Sequence, residues 1–284
     1  MHKQNILQLI KSYKGKYSQQ HSKIAVYLIN NYEKAAFFTA TQLARETGVS
    51  QPTVIRFSQF LGFSNYGTFL EAIQAVLKAE LTSTQRLNLS LGGKSSADGS
   101  EFDIISKEIK TLEKLASTFP HKQYNHLVEE ICNSNKVFVV GTRGSASLAH
   151  HLAYFLGKVK KNVMPICYGS TSVYDQLLHL RKDDLIIAMA FPRYPRETID
   201  IVSYCKEKTV RIAGITDKID SPLSKISDTA VIIPITFTTI FDSYSSVMCL
   251  LNMVVTGVGK TNFKESKMLS QEFESLAKKV KIFV

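Results

Sequence analysis

Leu185-Ile186-Ile187-Ala188-Met189-Ala190-Phe191 is a run without a single polar side chain. A strand with one wet face alternates polar and apolar residues. This one does not, so both of its faces are predicted to be covered, as strands of a parallel sheet are. Working outward from it, β-rich runs recur at 136–140, 163–167, 210–216 and 230–235. Helical stretches at 145–157, 172–179 and 196–207 separate several of these runs, and another at 241–256 follows the last. Buried strands alternating with helical crossovers predict a doubly wound, parallel, five-stranded α/β sheet. Two amphipathic stretches, about 103–119 and 123–133, lead into it.

Upstream the texture changes. As far as Lys78 the pattern is helical, broken only at Gly48 and at Gly62-Phe63-Ser64-Asn65, and β-branched alternation is missing. Between 82 and 102 Thr, Ser, Gly, Asn and Asp dominate, the composition of a linker. The chain is therefore expected to divide into an all-α domain (1–78), a linker (79–106) and the α/β domain (107–284). A length of 284 residues suits two domains, and 44 % apolar residues suffice for packed cores, which excludes general disorder. Cys132, Cys167, Cys205 and Cys249 are far apart without a CxxC pair. This excludes a disulfide-stapled scaffold and a cysteine zinc site and suggests a reducing compartment. Met1-His2-Lys3-Gln4-Asn5 opens no secretory signal, and no apolar run reaches the roughly 18–20 residues of a membrane span. The expectation is a soluble, cytoplasmic protein with no membrane partner. A net charge of +11 invites a nucleic-acid reading, and residues 1–85 carry nine cations against four carboxylates.

Within the helical part, residues 41–47 favour a helix, Gly48-Val49 interrupts it, and Ser50 is a good N-cap for a second helix with Pro52 in its first turn. A helix-turn-helix needs a small residue where its helices cross and a turn residue between them; Ala44 and Gly48 fill those roles. Val54, Phe57 and Leu61 form one apolar stripe on the second helix. Gln51, Thr53, Arg56 and Gln59 fall on the opposite face, as groups suited to phosphates and base edges in the major groove. An ordinary helical hairpin kept soluble by the same residues would lack this register of small residue, turn, cap and stripe.

The run from Gly48 to Phe63, Gly-Val-Ser-Gln-Pro-Thr-Val-Ile-Arg-Phe-Ser-Gln-Phe-Leu-Gly-Phe, with Tyr66 and Phe69 beyond it, resembles the signature of RpiR-type bacterial transcriptional regulators. The resemblance implies that Ser50, Gln51, Thr53 and Arg56 lie on DNA and that Phe57, Leu61, Phe63, Tyr66 and Phe69 are core. It implies supporting contacts from Lys23, Thr41 and Arg45.

In the α/β part, the strand at 137–140 runs through Gly141-Thr142-Arg143-Gly144-Ser145 into a helix. A glycine turn opening a helix presents free N–H groups and a positive dipole end to an anion. The same turn also suits a tight strand–helix corner, and the dinucleotide pattern Gly-x-Gly-x-x-Gly fails at Arg143. After the third strand comes Pro192-Arg193-Tyr194-Pro195-Arg196-Glu197-Thr198. The fourth strand closes on Thr216-Asp217, Ser221-Pro222 follows, and Asp242-Ser243 is expected to open the last helix. Polar residues from several loops thus converge at one sheet edge, where open α/β sheets bind ligands.

The stretch 124–258 resembles the sugar-isomerase (SIS) domain of RpiR-type regulators, in the Gly141-x-x-x-Ser145 turn, in Glu197-Thr198, in Ile215-Thr216-Asp217 and in Ser221-Pro222-Leu223. In that family the cleft commonly binds a phosphorylated sugar and controls DNA affinity. The resemblance implies an effector site at Gly141, Thr142, Arg143, Ser145, Arg193, Arg196, Glu197, Thr198, Thr216, Asp217, Ser221 and Asp242. One departure stands out. The family's Ser-x-Ser-Gly-x-Thr phosphate loop is here Ala190-Phe191-Pro192-Arg193-Tyr194-Pro195-Arg196-Glu197-Thr198, with arginines in place of hydroxyls; a guanidinium fork suits phosphate or carboxylate.

Gly257-Val258-Gly259-Lys260-Thr261 hints at a phosphate-binding P-loop, but Val254 holds the first glycine position and no strand precedes it. His150-His151 has no carboxylate at helical spacing, so no metal site is expected there, and no cofactor is expected elsewhere. The cysteines read as core fillers. The expected function is a non-enzymatic, DNA-binding transcriptional regulator that takes a double-stranded operator and a small anionic metabolite, a phosphosugar or similar, and works as a homodimer or homotetramer. The helix at 241–256 is a candidate dimer surface as well as plain core. The rival reading is a sugar-phosphate isomerase with an appended helical domain, in which Glu197 is the candidate carboxylate; a protein-interaction adaptor is the third.

Overall fold

A computed structural model describes residues 6–80, 82, 84–85, 103–237 and 241–283, which fold as two compact units. Most of the expected linker, residues 86–102, lies outside the described residues.

The helical unit comprises α1 (Ile6–Ser12), α2 (Gln19–Ala35), α3 (Ala40–Thr47), α4 (Gln51–Phe60) and α5 (Tyr66–Glu80). Its helices begin where side chains satisfy the first free backbone N–H groups. The Ser18 hydroxyl accepts from the His21 N–H at 3.2 Å. Thr39 and Gln42 form a reciprocal capping box on α3. Gly48 ends α3 in the left-handed region at φ 63°, a conformation that glycine adopts without a steric penalty. Two residues later Ser50 starts α4, with Pro52 in the first turn. Val54, Phe57 and Leu61 are buried as the stripe requires, as are Ile24, Leu28, Leu43, Phe69 and Ile73 on the helices packed against α4. Phe57 meets Phe69 edge-on, with ring centres 6.0 Å apart. Phe63 and Tyr66 are half-buried, and the Tyr66 hydroxyl donates to the Phe38 carbonyl at 2.9 Å.

The second unit runs α6 (Asp103–Ser117), α7 (His121–Asn133), β1 (Val137–Val140), α8 (Ser145–Leu156), β2 (Val163–Ile166), α9 (Ser172–Leu177), β3 (Leu185–Met189), α10 (Arg196–Glu207), β4 (Arg211–Thr216), α11 (Pro222–Ile226), β5 (Thr229–Ile232), β6 (Thr236–Phe237), β7 (Asp242–Ser243), α12 (Ser245–Thr261) and α13 (Phe263–Val280). Five parallel strands pair in the order β2-β1-β3-β4-β5. Period-two alternation divides β3 between two cores. Leu185, Ile187 and Met189 join Leu148, Leu152, Leu250 and Val254 on one face. Ile186, Ala188 and Ala190 join Leu177, Ile201, Val202 and Leu223 on the other. The strand is covered on both sides, which is why its sequence is apolar throughout. β2 is an edge strand exposing Met164 and Pro165, a place where a residue lacking an N–H donor is tolerated.

The C-terminal part differs from the sequence expectation. The last helices begin at Ser245, not 241, because Asp242–Ser243 pairs antiparallel with Thr236–Phe237. Asp242 therefore opens no helix. α12 continues to Thr261, and α13, which the sequence analysis did not separate, follows it. The false P-loop glycines sit inside α12. A Cβ at Gly257 would stand 2.4 Å from the Tyr124 hydroxyl, so this glycine lets α7 and α12 pack closely. Among the described residues no helix is long and apolar enough to cross a membrane.

Candidate functional site

Two surfaces carry chemistry, one in each unit. On α4 the face opposite the buried stripe exposes Gln51, Pro52, Arg56 and Gln59, with Thr53 half-buried beside them. The Ser50 and Thr53 hydroxyls are 2.8 Å apart, so the cap also holds the first polar side chain of the helix. Arg56 Nε donates to the Pro52 carbonyl at 3.4 Å, which lays the exposed arginine back along the helix. Lys23 on α2 and Thr41 and Arg45 on α3 are exposed as well, outside α4 itself.

In the α/β unit the strand order turns back between β1 and β3, the switch point at which the loops after adjacent strands diverge and leave a crevice. A cleft of ≈ 560 Å³ lies there, lined among others by Arg143, Ser145, Arg193, Arg196, Glu197 and Tyr244. The β1–α8 turn needs Gly141: a Cβ would stand 2.6 Å from the Ser145 carbonyl oxygen. Thr142 and Thr198 are buried and bonded to each other, hydroxyl to hydroxyl at 2.9 Å, with the Thr142 N–H donating to Thr198 Oγ1 at 3.2 Å. They clamp the β1 turn to the start of α10 and so hold the two loops in register. Arg143, Arg193 and Tyr194 have left-handed φ angles of 57°, 68° and 27°. Such conformations cost about 1–3 kcal/mol each in non-glycine residues and persist where surrounding structure enforces them.

The predicted effector residues separate accordingly. Arg143, Ser145, Arg193, Arg196 and Glu197 line the cleft, all of them exposed except the buried Ser145. Arg196 Nε lies 3.4 Å from an Asp200 carboxylate oxygen one helical turn on. Gly141, Thr142 and Thr198 shape the cleft from behind. Thr216 is buried and donates its hydroxyl to the Ala190 carbonyl at 2.8 Å, tying β4 to the end of β3. Asp217 accepts from the Tyr194 hydroxyl at 2.7 Å. Burial first, and then Asp217, push the Tyr194 phenol well above its ordinary pKa of 10.0, so Tyr194 stays a donor and braces the arginine loop. Ser221 caps α11 by accepting from the Ser224 N–H, and Asp242 lies in β7. These four support the cleft or stand outside its lining.

Sequence reasoning missed the aromatic wall. Tyr244 sits 5.1 Å from Phe191, ring to ring, and its hydroxyl would be 3.3 Å from a Cβ on Gly144. Gly169, in the loop after β2, lies close against Glu197, where a Cβ would be 2.6 Å from the carboxyl carbon. Neither residue belongs to a periodic pattern. Their positions follow from topology alone. His151, from the pair set aside as a metal site, lies 3.2 Å from the Asn252 amide oxygen, and among the described residues no group of His, Cys, Asp or Glu suits a metal ion.

Comparison with known proteins follows the same division. Residues 4–80 match the model of the helix-turn-helix domain of the rpiR family, and residues 130–257 match that of the SIS domain. The chain belongs to the RpiR-type transcriptional regulators. An uncharacterized helix-turn-helix transcriptional regulator of Clostridium perfringens is 24 % identical over 272 residues, covering 92 % of this chain and 94 % of its own length. Among solved structures, the sugar isomerase domain of an RpiR transcription factor from Sphaerobacter thermophilus is similar with a TM-score of 0.59 at 21 % identity, covering 61 % of this chain and 97 % of that one. The Vibrio vulnificus NanR protein, solved in complex with ManNAc-6P, is similar with a TM-score of 0.60 at 20 % identity, covering 97 % of this chain and 99 % of that one. This RpiR-type chain thus joins a helix-turn-helix domain to an SIS domain.

Proposed function

We propose that this RpiR-type regulator reads a double-stranded operator with Gln51, Thr53 and Arg56 of α4, supported by Ser50 and by Lys23, Thr41 and Arg45, and that its SIS cleft senses a small anionic metabolite, a phosphosugar or a close relative. The observation that carries the reading is the pair of arginine-bearing loops, Arg143 after β1 and Arg193 and Arg196 after β3, locked together by the Thr142–Thr198 clamp. Guanidinium groups converging on one cleft favour a phosphate or carboxylate, which they hold bidentately. The SIS similarity, and a NanR relative that holds a phosphosugar, supply the sugar. The ligand acts by favouring one arrangement of the DNA readers over another. The protein works in the cytoplasm as a homodimer or homotetramer, which spaces two α4 helices about 34 Å apart on a near-palindromic operator.

The cleft is a sensor rather than a catalyst in this reading. Isomerisation needs a group poised to move a proton at the substrate carbon. Of the carboxylates in the cleft, Asp200 is engaged with Arg196, and Glu197 packs against the Gly169 loop. Thermal-shift titration with a panel of hexose 6-phosphates is expected to stabilise the wild-type chain and to leave Arg193→Ala unmoved. An equal response in both removes that arginine from the site. Turnover of any sugar phosphate above background favours the isomerase reading instead.

A further inference from the structure

The connector between α1 and α2 is fastened to the recognition helix by rings. Tyr13 meets Phe60 edge-on at 5.5 Å. Tyr17 lies 5.7 Å from Phe57 and 5.9 Å from Phe60. His21 lies 5.5 Å and 5.4 Å from the same two rings. The Tyr17 hydroxyl donates to the Ile10 carbonyl at 2.7 Å and so ties the connector back to α1. Residues 13–21 are therefore held alongside the C-terminal half of α4. The side on which they lie is set by Phe60, exposed on α4 one helical turn from Arg56 and touched by all three rings; in keeping with this, burial and then the charge of Arg56 lower the His21 pKa.

The charge of this connector is one-sided. The chain has no Asp or Glu before Glu33. Lys11, Lys14 and Lys16 are all exposed, and among the described residues none of them enters an ion pair. Lys16 Nζ sits 5.4 Å over the Tyr13 ring, a ring that itself rests on Phe60. Gly15, at φ 95°, makes the reversal that sets Lys14 and Lys16 on either side of the turn. A surface that serves only solubility mixes both signs. A row of cations on a segment fastened by its rings at the flank of a groove-reading helix is instead the footprint of a contact to nucleic-acid phosphates.

We infer that the α1–α2 connector is a second DNA contact, in which Lys14 and Lys16, with Lys11 behind them, grip the phosphate backbone flanking the groove that α4 enters. The inference rests on the reading of α4 as the DNA reader and adds a partner surface that the recognition helix does not supply. Phosphate contacts fix register and carry no sequence information. Each neutralised phosphate releases condensed counterions, and the dependence of log affinity on log salt changes by about 0.9 per contact. Tyr17 is a positioning residue: it touches no phosphate and holds the lysines where they can.

The test uses the full-length chain and fluorescence anisotropy with two duplexes, an operator selected from a random pool and a mixed-sequence duplex of equal length, across a salt series. The double variant Lys14→Ala, Lys16→Ala is expected to bind both duplexes roughly tenfold more weakly with a salt slope smaller by about 2, leaving the ratio between duplexes unchanged. Arg56→Ala is expected to lower that ratio. Tyr17→Phe keeps the rings but loses the hydroxyl tie and is expected to retain most of the affinity, whereas Tyr17→Ala behaves like the lysine variant. Operator binding by the double variant with wild-type affinity and slope overturns this inference while leaving the α4 reading intact. A wild-type chain that binds neither duplex overturns both.

Discussion

On α4 the role of each residue follows from its place on a single helix. Ser50 caps, Val54, Phe57 and Leu61 turn inward, and Gln51 and Arg56 turn outward. In the SIS cleft the corresponding division of labour is spread over loops far apart in the chain. Thr142 finds its partner at Thr198, and Tyr194 finds its partner at Asp217. The reader is built from local spacing and the cleft from sheet topology. Polar side chains in the reader are displayed; in the cleft, many of them are consumed in holding the loops. A polar residue at the edge of the sheet can thus belong to the frame of the cleft rather than to its lining.

The sharpest way to break this contrast is at the frame. Gly141→Ala places a methyl group within 2.6 Å of a backbone oxygen that belongs to the helix start and cannot move alone. Urea unfolding of the variant is expected to lose on the order of 3 kcal/mol. Wild-type stability would show that the β1 turn is not the rigid element described. Next comes the display side. Arg56→Ala is expected to cost about 1–3 kcal/mol of operator affinity, read by anisotropy, with the melting temperature unchanged because the side chain is exposed. A loss of stability instead of affinity would move Arg56 into the frame.

Thr198→Val separates the two roles within the cleft. It preserves shape but leaves the Thr142 hydroxyl and N–H without their buried partner, a loss of about 1–3 kcal/mol that denaturant unfolding reads directly. If ligand response disappears while stability is kept, Thr198 contacts the ligand and the clamp is secondary. The smallest effect lies far from both surfaces. Glu130 on α7 is buried with one carboxylate oxygen lacking a hydrogen bond, and burial raises its pKa above the ordinary 4.5, against the opposing charges of His126 and Arg211 and with that of Asp228. Folding thus favours its neutral form. The contribution is complete below about pH 4.5 and is lost as pH rises through the raised value. Glu130→Gln is expected to melt slightly higher than wild type at neutral pH and equally at pH 4. A variant that melts lower at neutral pH would mean that the charged form is the one the fold needs.

The difference between the regions also explains what the amino-acid sequence disclosed. The helix-turn-helix was legible because caps, turn glycine and stripe act within a few residues of one another. The β3 run announced a doubly covered strand through composition alone. Of the effector set, Arg143, Ser145, Arg193, Arg196 and Glu197 reach the cleft because strand ends are where a parallel sheet opens. Thr216 and Ser221 are polar residues at the same strand ends but are spent on a carbonyl of the neighbouring strand end and on a helix cap. Tyr244 was hidden because Asp242–Ser243 reads as a helix start until its pairing with Thr236–Phe237 is known. α13 was legible but went unread: Leu269, Phe273, Leu276 and Val280 recur at helical spacing, although the helix is largely solvated, with Ser266 and Ala277 its buried residues.

The central claim is that occupancy of an arginine-rimmed cleft sets the grip of α4 on DNA. Anisotropy of a selected operator duplex, titrated with the full-length chain in the presence and absence of each hexose 6-phosphate, tests it most directly. The account predicts that at least one sugar phosphate shifts operator affinity by a factor of about 5–150, the range of ordinary allosteric coupling, and that Arg193→Ala binds the operator normally but ignores the sugar. Operator affinity indifferent to every phosphosugar, or a shift that survives in Arg193→Ala, would contradict it.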